Sequence, residues 1–197
     1  MTPILILAAG QSSRMRGRDK LLERVDGAPL IATLARRALA TGNPVFVALP
    51  VPTTQRFAAL TGLDITPLIV PEAAEGMSGT MRGAVAGLPD CPAFMILLGD
   101  LPEITTADMQ AILQARTAHP DHLIWRGATV AGKPGHPILF DAALRANFAQ
   151  LSGDGGGESL VNPLRDRTHL TRFDTDRARR DLDTPEDWAA WRAGQQP

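Results

Sequence analysis

Apolar residues in this chain collect into short unbroken runs separated by polar stretches that carry glycine. Pro3–Ala8, Val45–Leu49, Pro67–Val70 and Ala93–Leu98 are such runs, the pattern of strands covered on both faces. The segments between them carry apolar residues at helical spacing. Pro29 stands at a first-turn position ahead of Leu30, Ile31, Leu34, Ala38 and Leu39, and Gly42 closes that helix. Thr53–Thr61 predicts a short helix ended by Gly62, and Ser78 is positioned to cap a helix running to Leu88. Thr105 and Asp108 have the spacing of a capping box, followed by a buried stripe of Met109, Ile112 and Leu113. Strand alternating with helix predicts an α/β fold: a three-layer, doubly wound, mostly parallel sheet of Rossmann-like kind.

After Asp121 the alternation changes. His122–Arg126 and Thr129–Ala131 predict short strands around Gly127, and Pro137–Phe140 predicts another. Asp141–Gln150 predicts a helix, Gly153–Gly157 a flexible loop and Leu170–Phe173 a last strand. Thr184-Pro185-Glu186 opens a terminal helix that carries Trp188 and Trp191. No Pro, Gly or Ser-rich linker divides two cores, so residues 1–197 are expected to form one domain.

Composition narrows the class. With 197 residues, 44% hydrophobic and 21% charged, the chain is long and apolar enough for a full core. Its 20 basic and 21 acidic residues leave a net charge of −1, with no global pull toward nucleic acid or an anionic membrane. The single cysteine, Cys91, excludes an internal disulfide and a Cys-based zinc cluster. Met1–Gly10 is too short for a membrane span and lacks a basic leader, so the expected location is the cytoplasm. Only two of the basic residues are lysines, Lys20 and Lys133.

Four segments carry candidate chemistry. Leu7-Ala8-Ala9-Gly10-Gln11-Ser12-Ser13-Arg14 follows the first strand, at the edge where open α/β sheets bind ligands. Its small residues let backbone N–H groups approach a phosphate, and the two serines add donors. Arg14, Arg16, Arg18, Lys20 and Arg24 stand against Asp19 and Glu23, a cluster suited to the roughly four negative charges of a nucleoside triphosphate. The segment is neither a dinucleotide fingerprint nor a Walker A loop. A solvated basic loop is its bland alternative.

Asp100, in Gly99-Asp100-Leu101-Pro102, is a carboxylate at the end of the most apolar strand and suits Mg²⁺; a turn or cap role competes. Asp181-Leu182-Asp183-Thr184-Pro185-Glu186-Asp187 reads locally as a helix cap, with a second metal carboxylate as the sharper reading. Gly132-Lys133-Pro134-Gly135-His136-Pro137 fixes an irregular loop presenting Lys133 and His136, a substrate contact or a structural histidine. His119, His122 and His169 lack metal-ligand spacing and are assigned to surface or packing.

Leu7 to Met15 followed by Asp19-Lys20-Leu21-Leu22 resembles the nucleotide-binding signature of the molybdenum cofactor nucleotidyltransferase family. Gly76-Met77-Ser78, Leu98 to Pro102, Pro134 to Pro137, Gly153-Asp154-Gly155-Gly156 and Asp181 to Asp187 resemble its later motifs in the same order. Ala8-Ala9-Gly10, Gly76-Met77-Ser78 and the Gly-His-Pro loop are most similar to its cytidylyltransferase branch. Arg16, Leu101 and Gly79-Thr80-Met81 depart from that pattern and bear on base and acceptor more than on reaction class.

The resemblance implies a nucleotide-diphospho-sugar transferase-like fold and Mg²⁺-dependent transfer of a nucleotidyl group, with release of pyrophosphate. CMP from CTP is the favoured group, and molybdopterin the expected acceptor. Carried over by position, Ala8 to Arg14 and Lys20 hold the triphosphate. Ala8, Ala9 and the segment containing Glu72, Gly76, Met77 and Ser78 face base and ribose. Asp100 binds Mg²⁺ with Asp183, and Lys133 and His136 lie toward the acceptor. Arg14, Lys20 and Asp100 carry the catalysis, and a molybdoenzyme or its chaperone is the implied protein partner. The alternatives are a guanylyltransferase for the same cofactor, a sugar- or polyol-phosphate nucleotidyltransferase, and a non-catalytic nucleotide sensor or cofactor chaperone.

Overall fold

The computed structural model describes residues 1–52, 54–153 and 156–195. Its strands are β1 (Ile4–Leu7), β2 (Arg24–Val25), β3 (Ala28–Pro29), β4 (Val45–Leu49), β5 (Thr66–Ile69), β6 (Ala93–Leu98), β7 (Ile124–Ala128), β8 (Pro134–Asp141) and β9 (Thr168–Arg172). Its α-helices are α1 (Leu30–Leu39), α2 (Thr54–Ala59), α3 (Met77–Ala86), α4 (Thr106–Ala118), α5 (Arg145–Phe148), α6 (Glu158–Val161) and α7 (Pro185–Gly194).

Seven strands form one sheet in the order β5-β4-β1-β6-β8-β7-β9. Strand β1 pairs in parallel with β4 and β6, and β4 with β5. Strand β8 runs antiparallel to both β6 and β7, while β7 and β9 are parallel. The continuous apolar runs are explained by what covers them. Ile4, Ile6, Val47, Met95 and Leu97 share one buried cluster with Leu34 of α1, Ile112 of α4 and Trp188 of α7. Leu5, Leu7, Phe46, Phe94 and Ile96 face the other way, onto Val85 of α3, Phe148 of α5 and Val161 of α6. Helix, sheet, helix: the three layers follow from strands with no polar face.

Several local expectations are corrected. Strand β7 runs straight through Gly127, and Thr129–Ala131 is a turn in which the Gly132 N–H donates to the Thr129 carbonyl at 2.8 Å. Strand β8 begins at Pro134, because pairing with β7 extends it beyond its apolar part. Asp141–Gln150 is a 3₁₀ turn followed by the four residues of α5. Ser78 does not cap α3. Gly76, with φ 95°, occupies that position, and Ser78 is buried inside the helix, its hydroxyl donating to the Ser152 carbonyl at 3.3 Å. The capping box of Thr105 and Asp108 forms as its spacing predicts. Thr53 and, in the glycine-rich loop, Asp154 and Gly155 lie outside the described residues. Among the described residues no helix is long and apolar enough to cross a membrane.

Trp188 anchors α7: it is fully buried and meets Trp191 edge-to-face at 5.7 Å between ring centroids. Trp188→Ala is expected to cost about 3–5 kcal/mol of unfolding free energy, read from urea midpoints at unchanged m-value. A loss below about 1 kcal/mol would show that the helix is not held by this ring.

Candidate active site

The loop after β1 is tied down from within. Ala8 extends the strand by one bond, its N–H donating to the Ala48 carbonyl at 3.0 Å. Its own carbonyl accepts from Arg56 Nη1 of α2 at 2.5 Å. The same guanidinium grips the Asp19 carboxylate, from Nε at 2.6 Å and Nη2 at 2.9 Å. Asp19 Oδ1 also accepts from the Leu21 N–H at 3.0 Å and caps the 3₁₀ turn Lys20–Leu22. Ser12 sits in the left-handed region, φ 52°; its hydroxyl donates to Asp19 and accepts from the Lys20 N–H. A planar fork suits this task because it meets a carboxylate with two donors and keeps others for a carbonyl. Arg56 is absent from any motif, and nothing in the spacing of its short helix marks it as a buried anchor.

The loop brings Lys20 between two carboxylates distant in sequence. Lys20 Nζ donates to Asp100 Oδ2 at 2.5 Å and to Asp183 Oδ1 at 2.7 Å, while Arg14 pairs with Asp183 Oδ2 at 2.7 Å. Asp100 reaches this point because Gly99 lies flat against β1, where a Cβ would stand 2.8 Å from the Leu7 carbonyl. The competition between cap and site at the chain's end resolves cleanly. Thr184 and Asp187 form the capping box of α7, which leaves Asp183 to turn into the site. Burial opposes charge on Lys20, but the Asp100 and Asp183 carboxylates outweigh it and raise its pKa. Burial likewise opposes ionisation of Asp183, and the Lys20 and Arg14 cations overcome it and lower its pKa. Asp181 moves the other way, raised by burial and by its neighbours Asp100 and Asp183.

Two adjoining cavities open at this edge. One, of about 410 Å³, is walled by Leu7, Ala9, Gly10, Gln11, Gly76, Met77, Lys20 and Asp100. The other, of about 550 Å³, shares Leu7, Met77 and Leu98 with the first and adds Arg126, His136, Arg179 and Asp181. Lys133 faces a separate shallow hollow that also contains Arg179 and Asp181, so the Lys133 and His136 pair is divided between two depressions. Ser12 and Ser13 line a third region beside Arg56, Ala8 and Ser78 are buried, and Glu72 folds back on Gly83 of α3. None of these five side chains walls the first cavity. Ser12 and Ala8 are taken up in holding the loops that do.

A family model described as a MobA-like NTP transferase domain matches residues 4–169. The chain belongs to that family. A "Probable molybdenum cofactor guanylyltransferase" of Synechococcus elongatus is 37% identical over 109 residues, 54% of each chain. The chain thus spans about half the length of the first of its curated relatives. The "Molybdenum cofactor guanylyltransferase" of Ralstonia nicotianae is 30% identical over 163 residues, 77% of this chain and 76% of that one. Among solved structures, a Mycobacterium tuberculosis protein superposes with a TM-score of 0.83 at 24% identity, covering 96% of this chain and 95% of that one. A CMP:2-keto-3-deoxy-manno-octonic acid synthetase complexed with CTP gives 0.73 at 18% identity, covering 98% of each. These two show the shared fold.

The residues at the sheet edge fit a hard divalent cation. Asp100 Oδ1 is buried with no hydrogen-bond partner among the described residues, beside the Asp183 carboxylate across Lys20. No group of three or more His, Cys, Asp or Glu converges on one metal position among the described residues. Two carboxylates completed by phosphate oxygens and water match the habit of Mg²⁺.

The cavity beyond sets Arg126 and Arg179 against Glu158 and Asp181 and holds a neutral histidine. Arg126 Nε donates to the Gly135 carbonyl at 3.0 Å and Arg179 Nη1 to the Pro134 carbonyl at 2.8 Å; neither has an ion-pair partner among the described residues. Burial, with the nearby Arg179 charge behind it, lowers the Arg126 pKa to about 10. Burial and then Arg126 push His136 down to about 3, and its Nδ1 is buried with no hydrogen-bond partner among the described residues. Sequence spacing pointed to His136 but not to either arginine, since single arginines in an arginine-rich chain carry no signal.

Two measurements check this geometry. Arg56→Met strands the Asp19 carboxylate and is expected to cost about 3 kcal/mol in denaturant unfolding; an unchanged midpoint would mean the guanidinium anchors nothing. For His136, the unfolded chain takes up a proton near pH 6.5 and the folded chain only near pH 3, so this group's contribution to stability falls as pH drops through that window. His136→Gln is therefore expected to flatten the decline in stability between pH 6.5 and 4.5, and identical pH curves for the two proteins would refute the low pKa.

Proposed function

We propose that this chain transfers GMP from GTP to the phosphate monoester of a molybdopterin-type acceptor and releases pyrophosphate. The observation that carries the reaction class is Lys20 held between Asp100 and Asp183 at the mouth of a cavity walled by the β1 loop. The choice of base rests on the relatives, whose names specify guanylyl transfer. That ranks the guanylyl alternative ahead of the cytidylyl reading favoured by the short motifs. Residues 1–197 are taken as one nucleotidyltransferase domain.

An acceptor phosphate monoester has a second pKa near about 6 and is largely dianionic at neutral pH. Its oxygen attacks the α-phosphorus of GTP in line; the new P–O bond forms as the α–β bridging bond breaks, and pyrophosphate leaves with the electron pair. The step needs no general base, in keeping with a site that has no histidine beside Lys20 and Asp100 among the residues walling its cavity. The protein's task is alignment and charge neutralisation. Lys20, a compact point charge, and Arg14, a planar fork, take the charge of the departing pyrophosphate. Leu7, Ala9, Gly10, Gln11, Gly76 and Met77 receive the nucleotide. Arg126, Arg179 and neutral His136 receive the acceptor, and Lys133 stands at its outer edge. Asp100 and Asp183 hold Mg²⁺, which when bound supplies positive charge to the phosphate oxygens.

Pyrophosphate release measured with GTP, CTP, UTP and ATP, each with and without molybdopterin, tests the assignment. GTP with acceptor is expected to give the largest kcat/KM. A preference for CTP would return the chain to the cytidylyl reading, and no release with any pair would make it a nucleotide sensor or chaperone. Asp100→Asn is expected to lower kcat by about 10²-fold or more; near-normal turnover by the folded variant would remove Asp100 from the mechanism.

A further inference from the structure

We propose that Lys20 occupies the cation's place in the ligand-free protein, so that the divalent cation enters with the nucleotide and not ahead of it. The inference rests on the reading of Asp100 and Asp183 as cation ligands. Those two side chains are only 19% and 15% exposed, and Lys20 between them is 14% exposed. Two such carboxylates facing each other need a counter-charge, and the ammonium supplies it to both at once. Three of their four oxygens are already taken: Asp100 Oδ2 and Asp183 Oδ1 by Lys20, and Asp183 Oδ2 by Arg14. Asp100 Oδ1 alone is unpartnered among the described residues. A dication arriving alone meets one free oxygen and two cations that repel it.

A triphosphate changes that balance. Lys20 walls the same cavity as the β1 loop, so phosphates entering there attract its ammonium, and Arg14, exposed beside Asp183, is free to follow. Only the side chain has to move. The Lys20–Leu22 turn is pinned by Asp19 and Arg56, and the four-carbon lysine stem supplies the reach. As the cations turn to the phosphates, both carboxylates are released together with the incoming phosphate oxygens that complete a Mg²⁺ shell. An arginine at position 20 lacks the compact head that makes this exchange local.

Mn²⁺ serves as the probe, its free signal followed by electron paramagnetic resonance with the full chain and no nucleotide. The unaltered protein is expected to leave the Mn²⁺ signal undiminished at equimolar micromolar concentrations. Lys20→Gln, or Lys20→Met if the first does not give a normal melting transition, is expected to raise nucleotide-free Mn²⁺ affinity at least tenfold. Stoichiometric uptake of Mn²⁺ by the unaltered protein overturns the proposal, as does an affinity unmoved by removing the ammonium. The cation site is judged separately by Asp100→Asn with Asp183→Asn in the Lys20→Gln background. Loss of the gained Mn²⁺ binding supports the displaced-cation geometry, and its persistence places the ion elsewhere and removes both this proposal and the ligand assignment.

Discussion

Burial of β1 on both faces constrains everything polar in this molecule. Ile4 to Leu7 is closed above and below, with β4 on one edge and β6 on the other. Charged groups have no place along such a strand, because desolvation without a partner costs several kcal/mol. They gather instead where the strand stops and backbone N–H groups and small residues first meet solvent. The positions of the β1 loop, Lys20 and Asp100 are thus consequences of the core. The Gly99 approach to the Leu7 carbonyl carries the same constraint across to β6 and sets where Asp100 emerges.

Charge at this edge is organised in two tiers. Beneath the loop, Arg56 and Asp19 form a mostly enclosed pair that fixes backbone position and leaves no net charge to the cavity. Above it, Lys20, Asp100 and Asp183 form a second, comparably enclosed cluster, with Arg14 exposed at its edge. Removing one member of either group would leave a largely enclosed charge without its partner, which is costly. Across the shared wall of Leu7, Met77 and Leu98, Arg126 and Arg179 stand with Glu158 and Asp181 in the neighbouring cavity.

Legibility in the sequence followed locality. Strands β4 and β6 and the Thr105 capping box were readable because the information lies within a few residues: an apolar run, or Thr followed three positions later by Asp. The antiparallel β8 was only partly readable, since its first three residues are polar or turn-forming and become strand through pairing with β7. Lys20, Asp100, Asp183, Gly10 and Met77 were reachable through motifs. Arg56, Arg126 and Arg179 were not, because their meaning depends on which carbonyl or carboxylate the fold sets opposite them. Ser12 shows the converse: a hydroxyl whose position in a motif is plain and whose hydrogen bonds are spent inside the loop.

The ionic contact between Lys20 and Asp183 joins residues 163 apart, and it depends on α7 docking through Trp188. That separation has a meaning in time. A chain leaving the ribosome displays the β1 loop well before the carboxylate that completes the cluster. Contacts of such long range are also slow to close, since their chain entropy is spent before any attraction is gained. Completion of the charged cluster and docking of α7 are therefore one event.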